Sequence, residues 1–143
     1  MNKTFLAAAL LLTACQQGAS NGPVPGDAED TQPFSAIPED ALVRFVGTEP
    51  FWGGTVEDRT LTWSTVDDPE GERITVTRFA GRGGLTFSGT IDGEAFDLAL
   101  TPAQCSDGMS DRTYPFAATV QLGAQQLSGC GWREGDDLGD PAP

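Results

Sequence analysis

The chain has 143 residues, with 21 Asp or Glu, 8 Lys or Arg and no His, which gives a formal net charge of −13 at pH 7. This length predicts one domain, and a hydrophobic fraction of 38 % with eight Phe and three Trp is sufficient for a modest core. The acidic balance excludes nucleic acid as an expected partner, because phosphate binding needs clustered Lys and Arg. Without His the chain lacks the commonest general base and metal ligand, so we expect neither a metal site nor a cofactor.

The first 14 residues have the features of a bacterial lipoprotein signal peptide. Lys3 supplies a positive start, and an apolar run follows from Phe5 to Leu12. That run is much shorter than the roughly 20 residues of a membrane-spanning helix and is typical of a secretory signal. It ends in Leu12-Thr13-Ala14-Cys15, which resembles a lipobox. We therefore expect residues 1–14 to be cleaved and Cys15 to carry acyl chains that anchor the protein to the membrane.

Residues 15–40 are expected to form a disordered tether behind this anchor. Gly, Pro, Ser, Asn, Asp and Gln predominate from Gln16 to Pro33, so the segment buries too little apolar surface to offset its ordering entropy. Gln16, directly after the cysteine, is similar to the pattern of outer-membrane lipoproteins. The sequence therefore predicts a lipid-anchored protein on the periplasmic face of the bacterial outer membrane.

Residues 41–133 are predicted to form one all-β domain, since apolar and polar residues alternate along most of this stretch, as in half-buried strands. Asp92-Gly93 is a strong hairpin signal between two such segments. We predict a small antiparallel barrel or sandwich, and prefer the barrel because closure hides strand edges. About eight strands are expected, at 42–47, 51–57, 60–66, 73–79, 84–91, 94–101, 114–122 and 125–132.

Two cysteines remain in this domain, Cys105 and Cys130. An even pair in an exported protein predicts a disulfide, because the periplasm is oxidising. The alternative, a redox-active thiol pair, lacks the close Cys-x-x-Cys spacing that lowers a thiol pKa. We expect the disulfide to join the loop after Thr101 to the last strand and to contribute about 3.5 kcal/mol. Beyond the domain, residues 134–143 are acidic and contain two Pro, which predicts a disordered tail.

Two segments of the domain have unusual sequences. The first is Gly47-Thr48-Glu49-Pro50-Phe51-Trp52, and the second is Cys105-Ser106-Asp107-Gly108-Met109-Ser110-Asp111-Arg112-Thr113-Tyr114-Pro115-Phe116. Together with Gly129-Cys130-Gly131 they resemble a family of bacterial lipoproteins of unassigned activity, which combine a lipobox, a variable spacer and one small domain. The resemblance covers residues 42–132. It implies an envelope location, a disulfide and this fold, and it assigns no catalytic residue.

The first motif places two large rings, Phe51 and Trp52, where a strand begins. These rings either pack in the core or form an aromatic floor for a ligand or partner. Glu49 has two interpretations as well. It is either a buried carboxylate paired with Arg112 or an exposed contact or acid.

The second motif contains an acidic loop at residues 107–111. Asp and Ser favour capping of loop amides, and Gly108 permits a positive φ. The loop is either a purely structural connection or a recognition surface with Met109 as its exposed apolar contact. Tyr114, followed by Pro115, predicts an extended return into the next strand. The candidate binding residues are Glu49, Phe51, Trp52, Asp107, Met109, Ser110, Asp111, Arg112 and Tyr114.

The sequence thus favours a monomeric, lipid-anchored and non-catalytic binding module. A basic protein is the expected partner, because a strongly acidic domain attracts positive charge. A narrower alternative is a lysozyme-inhibitor-like lipoprotein, although the chain lacks the Ser-Gly-x-x-Tyr segment of such inhibitors. A structural alternative is an envelope-maintenance protein with no ligand. The enzyme alternative is a carboxylate-based hydrolase, for instance with Glu49 and Asp107 as its acidic pair.

Overall fold

A computed structural model describes residues 31–139. The predicted signal peptide, Cys15 and residues 16–30 of the tether lie outside the described residues. Within this range no helix is long and apolar enough to cross a membrane. The described part of the chain forms nine strands, namely β1 (Val43–Gly47), β2 (Trp52–Glu57), β3 (Thr60–Thr65), β4 (Glu72–Thr75), β5 (Thr77–Ala80), β6 (Leu85–Ile91), β7 (Glu94–Cys105), β8 (Tyr114–Leu122) and β9 (Gln125–Arg133).

The strands form one antiparallel sheet that nearly closes into a barrel. Its order is β4-β3-β2-β1-β9-β8-β7-β6-β5, so that consecutive strands are neighbours and β9 returns to pair with β1. The two ends of this sheet, β4 and β5, are consecutive in the chain and separated only by Val76. The all-β prediction is therefore confirmed, with the barrel as the observed form.

The ninth strand arises because the segment predicted as one strand at 73–79 is divided at Val76. Residues before Val76 pair with β3, and residues after it pair with β6. Val76 itself is buried, and its amide donates to the carbonyl of Arg59 at 2.9 Å. The approach of β4 to β6 is close, since a Cβ on Gly89 would lie 3.0 Å from the carbonyl oxygen of Thr75. One bent strand thus brings the two ends of the sheet together.

Alternate side chains of the strands fill the barrel interior, and its centre is aromatic. The ring centroids of Trp52 and Trp63 are 5.5 Å apart, and those of Trp63 and Phe96 are 5.3 Å apart. Phe45 lies 6.2 Å from Trp52. These rings are almost fully buried. We call this cluster, with the other buried side chains of the strands, the interior core.

The packed domain extends beyond the predicted bounds of 41–133 at both ends. In the segment expected to be tether, Ile37 is buried, and the amide of Phe34 donates to the carbonyl of Gly81 at 2.7 Å. In the segment expected to be a disordered tail, Leu138 is buried. Each flank carries an apolar side chain that packs on the barrel, and the polar composition around it does not reveal this contact.

Candidate functional site

A second, smaller apolar cluster lies on the outer face of the barrel wall. Val46 and Cys130 are register partners, whereas their neighbours Phe45 and Gly131 pair at the next position. Phe45 points into the interior core, so Val46 and Cys130 project from the opposite face of the sheet. We call this group the outer cluster. It consists of the buried Tyr114, Cys130 and Leu138, with Val46, Cys105 and Trp132 packed against them.

The disulfide between Cys105 and Cys130 is the centre of the outer cluster. The two sulfur atoms are 1.97 Å apart, and the Cα atoms are 5.6 Å apart. Cys105 ends β7, which runs beyond the predicted strand end at 101, and the register with β8 shifts between Pro102 and Cys105. The bond attaches the connection between β7 and β8 to β9. The predicted disulfide is therefore confirmed.

Asp107 organises the loop that follows this disulfide. Its Oδ1 accepts hydrogen bonds from the amides of Met109 (2.9 Å) and Ser110 (2.8 Å). Its Oδ2 accepts from the hydroxyls of Ser110 (2.8 Å) and Tyr114 (2.9 Å). The bonds to the Ser110 and Met109 amides are the main reason why the pKa of Asp107 lies well below its usual range. Gly108 has φ +71°, so the predicted amide capping and positive φ are both confirmed.

Tyr114 connects this loop to the outer cluster. Its side chain is buried in the outer cluster, and its ring centroid lies 5.1 Å from that of Trp132. Burial raises the pKa of Tyr114, and the hydrogen bond to the Asp107 carboxylate raises it further. Tyr114 is therefore a neutral hydrogen-bond donor that links the outer cluster to Asp107.

The first motif lies beside the 107–111 loop. The hydroxyl of Thr48 donates to the main-chain carbonyl of Asp107 at 3.3 Å, which joins the turn at 48–51 to the 107–111 loop. Glu49 has φ +73° and is exposed, and Arg112 is exposed as well. The hypothesis of a buried pair between these two charges is therefore wrong. Thr48 was not among the predicted binding residues, because its contact joins residues 59 positions apart in the chain.

The two aromatic residues of the first motif have different environments. Trp52 is 5 % exposed and belongs to the interior core. Its indole lies against two glycines, since a Cβ on Gly47 would be 2.0 Å from Cε2 of Trp52 and a Cβ on Gly129 would be 2.9 Å from its Cη2. The glycines of the motifs thus make room for this ring. Phe51, in contrast, is 53 % exposed.

The two motifs together present one surface to solvent. We call it the motif surface and define it as the 107–111 loop with the turn at 48–51. It carries two exposed large hydrophobic side chains, Met109 and Phe51. The carboxylates of Asp107 and Asp111 flank Met109 in the sequence. Such a surface offers apolar contact and negative charge on a loop whose backbone is already hydrogen-bonded.

Among residues 31–139, no group of three or more His, Cys, Asp or Glu is placed to hold a metal ion. No family model matches the chain, and no curated protein or solved structure matches it. An assignment of function therefore depends on the chemistry of the motif surface and on the sequence motifs themselves.

Proposed function

We propose that the protein is a lipid-anchored component of the bacterial cell envelope, whose barrel is a non-catalytic binding module for a basic protein. The observation that carries the proposal is the exposure of Met109. Its side chain is 68 % exposed, and it lies on a loop that is held in place by hydrogen bonds from the amides of Met109 and Ser110 to Asp107. A large apolar side chain on a preorganised loop loses little entropy when a partner covers it. The flexible thioether of Met adapts well to a binding surface.

Charge supports a basic partner. The chain has a formal net charge of −13, and Asp107 remains ionised because four donors stabilise its carboxylate. Complementary charge raises the association rate and selects among partners more than it adds affinity. In this proposal the acidic residues attract the partner at long range, and Met109 and Phe51 make the direct apolar contacts with it.

The same geometry argues against a hydrolase built on Glu49 and Asp107. A two-carboxylate hydrolase needs one carboxyl group that holds a proton near neutral pH. The lowered pKa of Asp107 does not suit the acid of such a pair, and hydrogen bonds to both of its oxygens hold it in the loop and do not suit the ionised base or nucleophile. The bonds of Asp107 therefore favour a structural role for this carboxylate, which supports the non-catalytic proposal.

The envelope location is supported by the lipobox sequence, the resemblance of the motifs to those of bacterial lipoproteins, and the disulfide, which forms in oxidising compartments. Cys15→Ser tests it, because serine cannot be lipidated through a thioether. We expect this variant to stay unprocessed or to appear in the soluble periplasmic fraction. A shortened Cys15→Ser protein that still sediments with outer membranes would contradict the anchor.

Site-specific crosslinking in cells tests the binding module. A photo-crosslinking amino acid at Met109 is expected to form a covalent adduct with a basic protein. The same amino acid at Phe79 is the matched control, because Phe79 is exposed to a similar extent (71 %) but lies on β5, outside the motif surface. Adducts at both positions, or at neither, would overturn the proposal. Inhibition of a purified lysozyme that is lost in Met109→Ala would identify the narrower alternative.

A further inference from the structure

A groove of about 460 Å³ lies next to the motif surface. One side of it is formed by Asp111 and Thr113 at the end of the disulfide loop, and the other by Asp137 and Gly139 near the C-terminus. Tyr114, Pro115 and Leu138 also line it. The groove is thus a space between two segments that are distant in the chain.

These two segments are fixed to one another. The amide of Thr113 donates to the carbonyl of Leu138 at 3.0 Å, and the side chain of Leu138 is buried in the outer cluster. Just before it, the guanidinium of Arg133 donates to the carboxylate of Asp136 at 2.6 Å. The groove therefore exists before any ligand arrives, which reduces the entropy lost on binding.

The lining of the groove has a defined chemistry. Asp111 and Asp137 are its acidic lining residues, whereas no Lys or Arg among the described residues lines it. The cation nearest in sequence, Arg112, interacts with the Tyr114 hydroxyl and is not part of the lining. Pro115 and Leu138 supply apolar lining in the same groove. A long cationic side chain matches this pattern, since its methylene groups pack on apolar surface while its charged end meets carboxylates.

We infer that this groove receives one arginine or lysine side chain of the basic partner, an inference that rests on the proposed function. Met109 would then contact the apolar surface of that partner, and the groove would bind one of its charged side chains. The groove and Met109 together restrict the expected partners to basic proteins that present a protruding cationic side chain beside an apolar patch. Net negative charge alone requires neither feature.

An NMR titration of the purified, ¹⁵N-labelled protein tests the groove directly. The probe is a blocked Gly-Gly-Arg-Gly-Gly peptide, and the control peptide carries citrulline, which has the same shape without the charge. We expect saturable shifts of the amide signals of Thr113, Leu138 and Gly139 with the arginine peptide and none with the citrulline peptide. Shifts spread evenly over the acidic surface would overturn the inference.

A pair of charge-matched variants separates the groove from net charge. Asp111→Asn with Asp137→Asn is expected to weaken binding of the arginine peptide about tenfold, because the charged partners of the guanidinium are lost. The Asp137→Asn change keeps a side-chain oxygen that can accept the hydrogen bond from the amide of Gly139, which is 2.9 Å long. Asp67→Asn with Glu70→Gln removes the same charge from the exposed β3–β4 connection and is expected to change affinity less than about twofold. Equal weakening in both variants would overturn the inference.

The outcomes distinguish the groove from the proposed function. Met109→Ala is expected to leave the affinity for the short arginine peptide unchanged, since Met109 does not line the groove. A partner crosslinked at Met109 together with no peptide binding would refute the groove alone. Peptide binding in the groove with no crosslinked partner would refute the proposed function and leave the groove as a cation site.

Discussion

The interior core and the outer cluster both bury apolar side chains, but they differ in size and in the bonds that support them. The interior core is filled by residues from successive strands and is centred on large rings such as Trp52, Trp63 and Phe96. The outer cluster has three buried residues, from β8, β9 and the C-terminal segment. A cluster with so little apolar area needs other bonds, and here it has a disulfide and the hydrogen bonds of Asp107. The interior core thus stabilises the fold, whereas the outer cluster holds the motif surface in place.

Substitution in the interior core is expected to have the largest effect on stability. Trp52→Ala removes a buried ring from the aromatic centre and should lower the free energy of unfolding by about 3–5 kcal/mol. The matched control is Phe51→Ala, the neighbouring residue in the same motif. Its ring is 53 % exposed, so we expect a loss below about 1 kcal/mol. Denaturant unfolding followed by far-ultraviolet circular dichroism measures both, and equal losses would contradict the assignment of Trp52 to the core.

Removal of the disulfide should affect the outer cluster first. Cys105→Ala with Cys130→Ala is expected to lower the free energy of unfolding by about 2–5 kcal/mol. Hydrogen exchange should show that the amides of Met109 and Ser110 become freely exchangeable, whereas those of β2 and β3 stay protected to the extent that the reduced free energy of unfolding allows. Wild-type protein treated with reductant is the control and should behave alike. Alkylation of both cysteines in untreated native protein would contradict the bond.

The interior core could be predicted because each strand carries its own signal. Alternating residues mark the inward face, and Asp92-Gly93 forms the expected hairpin, with φ of +50° and +82°. The bend at Val76 has no such signal, since neither Gly nor Pro accompanies it between residues 73 and 79. The bend results from closure of the sheet, because the chain pairs with β3 before Val76 and with β6 after it. Closure is a property of the whole sheet and cannot be read from one segment.

The outer cluster could be predicted only in part. The count of cysteines and the expected compartment predict the bond between Cys105 and Cys130, and the residue types of the 107–111 loop predict its capping. Leu138 follows Asp136 and Asp137 in an acidic segment, so composition predicts disorder where the structure shows burial. A single apolar residue among charged ones produces no periodic pattern, and only the surface on which it packs identifies it.

Asp107→Asn tests the polar support of the outer cluster through its dependence on pH. At pH 7 we expect this variant to melt at a lower temperature than the wild type, because an amide accepts hydrogen bonds from four donors less well than a carboxylate. The folded state lowers the pKa of Asp107, so its contribution is complete above the unfolded-state value of about 3.9 and is lost as the pH falls below it. The difference in melting temperature between the wild type and Asp107→Asn should therefore narrow as the pH falls from 4 to 2.

The control for this measurement is Asp111→Asn, which neutralises an exposed carboxylate at the other end of the same loop. Its melting temperature should stay close to that of the wild type at pH 7, because surface substitutions of this kind change stability little. Thermal melts from pH 7 down to pH 2 compare the three proteins. A difference between wild type and Asp107→Asn that stays constant across this range would show that the carboxylate charge of Asp107 is not what holds the loop.

Met109→Ala should have the smallest effect on stability and the clearest effect on binding. The side chain is 68 % exposed, so its truncation should change the free energy of unfolding by less than about 0.5 kcal/mol. Leu138→Ala, which truncates a buried member of the outer cluster, should cost about 2 kcal/mol or more. If the motif surface binds a partner, Met109→Ala weakens that complex while its melting curve overlaps that of the wild type. A Met109→Ala protein that melts early and binds normally would mean that Met109 supports the loop, and the binding role would then have to be abandoned.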